Sequence, residues 1–271
     1  MVFNLIYMLQ VLDSDSSKII EAVRSTGVVV TEAMRLYVDY IVSNMKAIGT
    51  WDLCNAVYGF VGGTADSHKF NWKNPIDTDA AFRLTPTSAT LSHYTHNNLG
   101  VKSNNSTAWL TTNLKANQLI TDDNHLSLYV NTSNSNSAIQ LGFLESGGTS
   151  RQTFLYLRPN TTGGYTSSGA ATNDQFNVSN YGSIRGYNLG IAPSVGVRKL
   201  FQNGVQRVLS TTGDRGTDID VNQDLTVLGL SSAVDVVNTF QFATIGAGLT
   251  DTQAIQQSQI VTNAQLILNR A

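Results

Sequence analysis

The sequence predicts a mainly β protein: an antiparallel β-sandwich with a helical segment at its N-terminal end and a helix at its C-terminal end. Three observations carry that expectation. From about residue 78 onward, short runs alternate apolar and polar side chains, the period of a strand with one buried face. Turn signals separate the runs, chief among them Gly147-Gly148 and Asn203-Gly204. No helical pattern intervenes, and parallel strands would need helical crossovers, so the sandwich is favoured over an α/β sheet.

In chain order, MVFNLIYMLQVL opens the sequence. It has no basic flank, is followed by Asp13-Ser14-Asp15 rather than small residues, and is too short to span a bilayer. It is expected to pack on this chain's own core or on a neighbouring chain. Residues 31–48 place Met34, Val38, Ile41, Met45 and Ile48 at alternating spacings of four and three, one face of a helix, with Thr31 as N-cap and Gly49 as stop. The strands follow. Leu126, Leu128 and Val130 alternate with His125, Ser127 and Tyr129; Ile139, Leu141 and Phe143 repeat the pattern, and TFLYLRP follows the Gly147-Gly148 turn. Asn203-Gly204 between two β-rich runs predicts a two-residue hairpin, because both central residues of a type I′ turn need positive φ. DLTVLGL and TFQFATIG add two strands. Thr250 and Gln253 form a capping box before a closing helix with Ala254, Val261, Ala264 and Leu268 on one face. Residues 159–186, polar with isolated aromatics, read as a long loop that either varies freely on the surface or lines a binding surface.

Composition narrows the function. The 271 residues are 41% hydrophobic but only 13% charged, so surface polarity comes from Ser, Thr and Asn, and the net charge of -2 offers no basic field for nucleic acid. The single cysteine, Cys54, rules out a disulfide within the chain and reads as a small buried hydrophobe.

Candidate chemistry fails on spacing. Gly62-Gly63 leads to Lys69 like a phosphate loop, but no glycine precedes the lysine, Phe70 follows it, and Asp66 would repel phosphate. A sandwich glycosidase needs paired carboxylates, whereas Glu21 and Glu32 lie in the helical part and Glu145 stands alone among the strands. Asp218, Asp220 and Asn222 match the first ligand spacings of a calcium loop, yet Gln223 and Gly229 occupy positions that need glycine and glutamate, which favours a wet strand face over a Ca2+ site. His93 and His96 are three apart, on opposite faces of a strand, and read as surface residues. No nucleophile elbow occurs. The expectation is a protein that is not an enzyme and carries no cofactor.

Residues 41–84, IVSNMKAIGTWDLCNAVYGFVGGTADSHKFNWKNPIDTDAAFRL, resemble a recurring segment of bacteriophage structural proteins, in which a helix ends in glycine and tryptophan and a VGGTASSHKFNLKNP-type turn leads into the first strand. Residues 240–270 resemble the closing segment of the same proteins, a strand, an IGDGLTD-type turn and a helix. The likeness covers most of 31–270, departs at Gly59, where proline is usual, and at Thr78, where leucine is usual, and leaves the first 30 residues unmatched. It implies a concanavalin A-like (laminin G-like) jelly roll over 58–271, an attachment segment over 1–57, and a virion location as a tail-fibre, head-fibre or capsid decoration subunit. On that reading GFVGGTADSHKFNWKNP is a joint: its glycines permit a chain reversal, Phe60, Phe70 and Trp72 fill the seam, and Lys69 is a surface charge. The partners implied are other virion proteins, further copies of the chain and host-surface glycan, without nucleic acid or membrane insertion. The alternative is a carbohydrate-binding lectin module, in which Trp109, Tyr165 and Tyr181 would stack on sugar rings. A glycan hydrolase of the same fold is the third reading.

Overall fold

The computed structural model describes residues 12–119, 123–132, 139–144, 152–157, 162–168, 176–179, 183–194, 196–210, 222–230 and 233–270. The helices are α1 (Ser14–Ser25), α2 (Glu32–Ala47), the short α3 (Ala65–His68) and α4 (Asp251–Ile267). The strands are β1 (Cys54–Tyr58), β2 (Thr85–Pro86), β3 (Tyr94–Asn97), β4 (Gly100–Ser103), β5 (Leu110–Lys115), β6 (Asn124–Val130), β7 (Ile139–Leu144), β8 (Gln152–Leu157) and β9 (Thr162–Ser168). They continue with β10 (Phe176–Ser179), β11 (Gly186–Ser194), β12 (Val197–Gln202), β13 (Val205–Ser210), β14 (Asp224–Val227), β15 (Gly229–Leu230), β16 (Ala233–Val234) and β17 (Phe240–Gly246).

Two antiparallel sheets face each other. One runs β13-β12-β11-β6-β17-β4-β3, with β1 also paired to β17; the other runs β10-β9-β8-β7-β14-β5-β2. The central strands β6 and β17 of the first sheet are buried on both faces. In β6, Leu126, Leu128 and Val130 point between the sheets, as their alternation requires. His125, Ser127 and Tyr129 on the opposite face are buried as well, because the helices lie over them. The polar side chains there bond to one another: the Tyr187 hydroxyl donates to Ser127 Oγ at 2.8 Å, Gln257 Nε2 of α4 donates to Tyr187 at 2.6 Å, and Thr244 Oγ1 lies 2.5 Å from Ser127 Oγ and 2.9 Å from His125 Nε2. A row of residues that alternation marks as polar is therefore the seat of α4, not a wetted surface.

The helices share a second core with that face. Ile19, Ile20 and Val23 of α1 and Tyr37, Val38, Ile41, Val42 and Met45 of α2 pack with Trp72, Tyr129, Phe242, Ala254 and Val261. Thr31 caps α2 through the Met34 amide, and Thr250 with Gln253 caps α4 as a capping box. The α1 helix has no counterpart in the sequence expectation, although Asp13 as cap and the Ile19–Val23 spacing were legible. Among the described residues no packing boundary falls at residue 57: β1 pairs with β17 across it, and α2 lies on α4. No described helix is long and apolar enough to cross a membrane.

The joint at 58–75 is built by contacts that spacing alone does not show. Gly62 and Gly63 take φ of +92° and +73°, Thr64 and Ser67 cap α3 reciprocally, and Phe60, Phe70 and Trp72 are buried. Lys69 reaches Asp66 at 3.1 Å and Asp77 at 2.6 Å, so its charge is paired and not offered to a phosphate.

The segment 159–186, expected to be a loop, contains β9, β10 and the start of β11. The β9 run, TGGYTSS, has almost no apolar alternation, and the alternation of Phe176 and Val178 in β10 spans only four residues at the edge of its sheet. The hairpin at 203–204 has the expected geometry, with Asn203 at φ 50°, Gly204 at φ 78°, and Gln202 opposite Val205. Asn203 also exchanges two bonds with β11, its amide donating to Tyr187 O and its Oδ1 accepting from Tyr187 N, both at 2.8 Å. Asn203→Pro forbids the positive φ and removes the donor, and is expected to cost about 3 kcal/mol or more. Thermal melts beside single substitutions in 162–168 check this; a melting temperature within a degree or two of the parent refutes the role given to the turn.

Candidate binding cleft

A cleft of about 520 Å³ lies at one end of the helix-covered sheet, lined by Tyr129, Ser183, Arg185, Gly186, Gln202, Asn203, Arg207 and Thr262. Each element delivers its group for a local reason. The alternation of β6 turns Tyr129 away from the sandwich interior to form the floor, where it is only 4% exposed. Asn203 sits at the hairpin tip; its Nδ2 donates to Arg185 O at 3.4 Å, which ties the tip to the 183–186 segment. Gly186, at φ 103°, leaves the space that Asn203 fills, since a Cβ there would lie 2.1 Å from Asn203 Oδ1. Gln202 Nε2 donates to Ser183 O, and the Ser183 hydroxyl accepts from the Arg185 amide at 3.2 Å. The walls are thus held before any ligand arrives.

Two guanidinium groups, those of Arg185 and Arg207, line the cleft. Burial raises the Tyr129 phenol above its usual range, and the Arg185 guanidinium opposes that rise, so the charge of Arg185 acts on the floor. Arg185 is exposed. No carboxylate occurs among the described lining residues. Hydroxyls, amides and guanidinium groups around one aromatic ring can bind a polyhydroxylated ligand, and the volume lies within the range of small-molecule sites. The same groups offer no acid–base pair for hydrolysis.

Compared with known proteins, no family model matches the chain, and no curated protein matches it. Solved structures do. The sialidase of Trypanosoma rangeli aligns with a TM-score of 0.50 at 10% identity, over 86% of this chain and 39% of that one. The binding domain of botulinum neurotoxin serotype D aligns at 0.49 and 13% identity, over 82% of this chain and 53% of that one. Domain 4 of AbnA, a GH43 extracellular arabinanase from Geobacillus stearothermophilus solved with arabinotriose, aligns at 0.46 and 13% identity, over 76% of this chain and 98% of that one. The likeness is one of fold. The chain is a mainly β antiparallel sandwich of two sheets with helices towards both ends.

The residues singled out in the sequence do not meet at the cleft. Trp109 is half-buried just before β5, with its backbone held by Thr87: its amide donates to Thr87 Oγ1 at 3.0 Å and its carbonyl accepts from that hydroxyl at 2.9 Å. Tyr165 lies in β9 opposite Phe176 and Leu155. Between β9 and β5 stand β8, β7 and β14, a separation of about 19 Å at the spacing of paired strands, so Trp109 and Tyr165 belong to no common platform. Tyr181, Asp218 and Asp220, like Glu145, lie outside the described residues. Asn222 is exposed ahead of β14. Among the described residues no group of three His, Cys, Asp or Glu side chains is placed to hold a metal.

The histidines are not the surface residues expected of them. His93 is bonded to Ser88 Oγ at 2.7 Å and to Asn105 Nδ2 at 3.2 Å, while His96 faces His68. Cys54 lies 4.0 Å from His125 Nε2. That pair cannot act as a nucleophile and base, because burial pushes the thiol up to about 12 and the imidazole down to about 4, and the His125 nitrogens are taken by Ala247 O and Thr244. Sequence reading missed the cleft because Arg185 and Asn203 are 18 residues apart and neither sits in a motif. The one available signal was Asn203-Gly204, read only as a turn.

Proposed function

We propose that this chain is a non-catalytic glycan-binding sandwich that holds its ligand in the Tyr129–Arg185–Asn203 cleft, and that it is displayed on a bacteriophage particle. The observation that carries the binding role is the pre-formed cleft, aromatic at its floor, lined by hydroxyls, amides and two guanidinium groups, and without a described carboxylate. The sandwich fold, shared with a sialidase whose structure was also solved with sialic acid, is compatible with that role.

The particle location rests on the resemblance of residues 41–84 and 240–270 to phage structural proteins. One feature of the fold supports it. Those two segments pack as a unit, with β1 against β17, α2 against α4, and Trp72 edge-on to Phe242 at 6.3 Å. The two resembling segments thus adjoin one another, and the cleft lies beside them, bordered by Thr262 of α4. On this reading the helical side meets other virion proteins or further copies of the chain.

A glycan array with a hydrolysis readout tests the binding role. The parent is expected to bind without forming product, and Arg185→Ala is expected to weaken binding at least tenfold with an unchanged melting temperature. Absence of binding to any glycan removes the role, and product formation reinstates the hydrolase. Loss of binding in Trp109→Ala with retention in Arg185→Ala moves the site to the Trp109 edge. Mass spectrometry of purified particles tests the location.

A further inference from the structure

At the edge where the two sheets part, α3 is fastened to the edge strand β3 through two histidines. His68 is 3% exposed, His96 is half-buried, and their Nδ1 atoms lie 3.1 Å apart. The proton positions follow from a backbone group. The amide of Gly63 can only donate, and it points at His68 Nε2 from 3.2 Å. A neutral His68 accepts there and carries its proton on Nδ1, so His96 Nδ1 must accept from it. This arrangement excludes a metal bridged by the two Nδ1 atoms, since His68 would have to move its proton to Nε2, against the Gly63 amide. It also leaves no place for a second proton between the rings. Protonating His68 sets Nε2–H against the Gly63 N–H, and protonating His96 at Nδ1 sets it against His68 Nδ1–H.

The surroundings give an added proton no counter-charge. Phe60 stacks edge-on to His68 at 5.6 Å, and Tyr94 of β3 lies 6.2 Å from His96. Leu84, Pro86 and Leu110 from the opposite sheet line the small cavity beside the pair. Asp66 at its rim is bonded to Lys69, which also holds Asp77. From α1, Ala22, Ser25 and Thr26 face Asp66 and Lys69 and bring no charge. Arg270, beyond α4, adds a positive charge that disfavours a second one on His68.

We propose that the His68–His96 pair is an acid-sensitive latch: gain of a proton by either ring breaks the Gly63–His68–His96 chain of hydrogen bonds, releases α3 from β3 and opens the seam between the sheets. Burial holds His96 down at about 4 and His68 well below its usual range. A base whose folded-state affinity for protons is depressed leaves the closed form intact above the ordinary value of about 6.5. The closed form then loses stability as pH falls from there towards about 4.

Native-state hydrogen exchange of the full chain tests this at the Gly63 amide, with rates corrected for intrinsic exchange. Its protection is expected to fall more than about 50-fold between pH 7 and pH 4.5 while staying below that of the Leu128 amide in β6, which exchanges by global unfolding and so carries the His68, His96 and His125 contributions together. His96→Asn, which can still accept from His68 and does not titrate, is expected to shrink the fall at Gly63 at least tenfold. Equal protection of the Gly63 and Leu128 amides at pH 4.5, or an unchanged fall at Gly63 in His96→Asn, overturns the latch. If that variant does not fold, imidazole NMR of the parent decides: His68 as the Nδ1–H form with both rings titrating below about 5 supports the latch, and a ring titrating near 6.5 overturns it.

Discussion

Removal of residues 1–48 is expected to leave a chain that is insoluble or melts without cooperativity. The attachment role that the resemblance implies for the N-terminal segment would allow the sandwich to fold alone, but the packing demands otherwise. Ile19, Ile20, Val23, Tyr37, Val38, Ile41, Val42 and Met45 are between 0% and 4% exposed, against Trp72, Phe242 and the face of α4. Each such side chain contributes about 1.5–3 kcal/mol by leaving water, so together their burial is at least comparable with the stability of about 5–15 kcal/mol that a whole domain possesses. The deletion also uncovers the side of α4 that α2 covers, where Gln265 Nε2 donates to the Tyr37 hydroxyl at 3.0 Å. Circular dichroism and a thermal melt of the truncated chain check the outcome. A soluble β-rich monomer with a cooperative transition would show that the helices are an appendage.

Gly59→Ala is expected to lower the melting temperature by about 5–10 °C, from an overpacking cost of about 3 kcal/mol. A Cβ at residue 59 would lie 2.1 Å from Trp72 Cζ2 and 2.2 Å from Cη2. The ring cannot move aside, because Tyr37 meets it edge-on at 6.0 Å and Phe242 at 6.3 Å. Combining Gly59→Ala with Trp72→Leu should cost less than the two changes summed, since the smaller side chain removes the clash that the methyl creates. Strict additivity, or a Gly59→Ala melt within a degree of the parent, would place the strain elsewhere. The proline usual at this position in the resembling phage segments also carries a Cβ, so a tryptophan there cannot sit as Trp72 does.

Much of this protein is determined by its sequence alone, and the reason is locality. Alternation in β6, β7 and β17, the helical spacing of Val38, Ile41 and Met45, the Thr250–Gln253 cap and the Asn203-Gly204 turn each depend on residues within a few positions of one another. Those signals suffice for an antiparallel sandwich with helices towards both ends. The last two strands of the second sheet escaped because β9 is mostly Gly, Ser and Thr and the Phe176–Val178 alternation of β10 is only four residues long, and such runs read as loop.

Only the tertiary structure decided what the polar residues do. Ser127, Thr244, Tyr187 and Gln257 look like wet surface in the sequence and form a buried network beneath α4, because a helix from the chain's end covers a face that alternation assigns to solvent. His68 and His96, 28 residues apart, become one hydrogen-bonded unit across an edge of the sandwich. The cleft draws Tyr129, Arg185, Asn203 and Thr262 from a strand, a connecting segment, a turn and a helix. Spacing along a chain reports which residues share a face of one element; which faces meet is set by the packing of all the elements together, and both the cleft and the latch are made where faces meet.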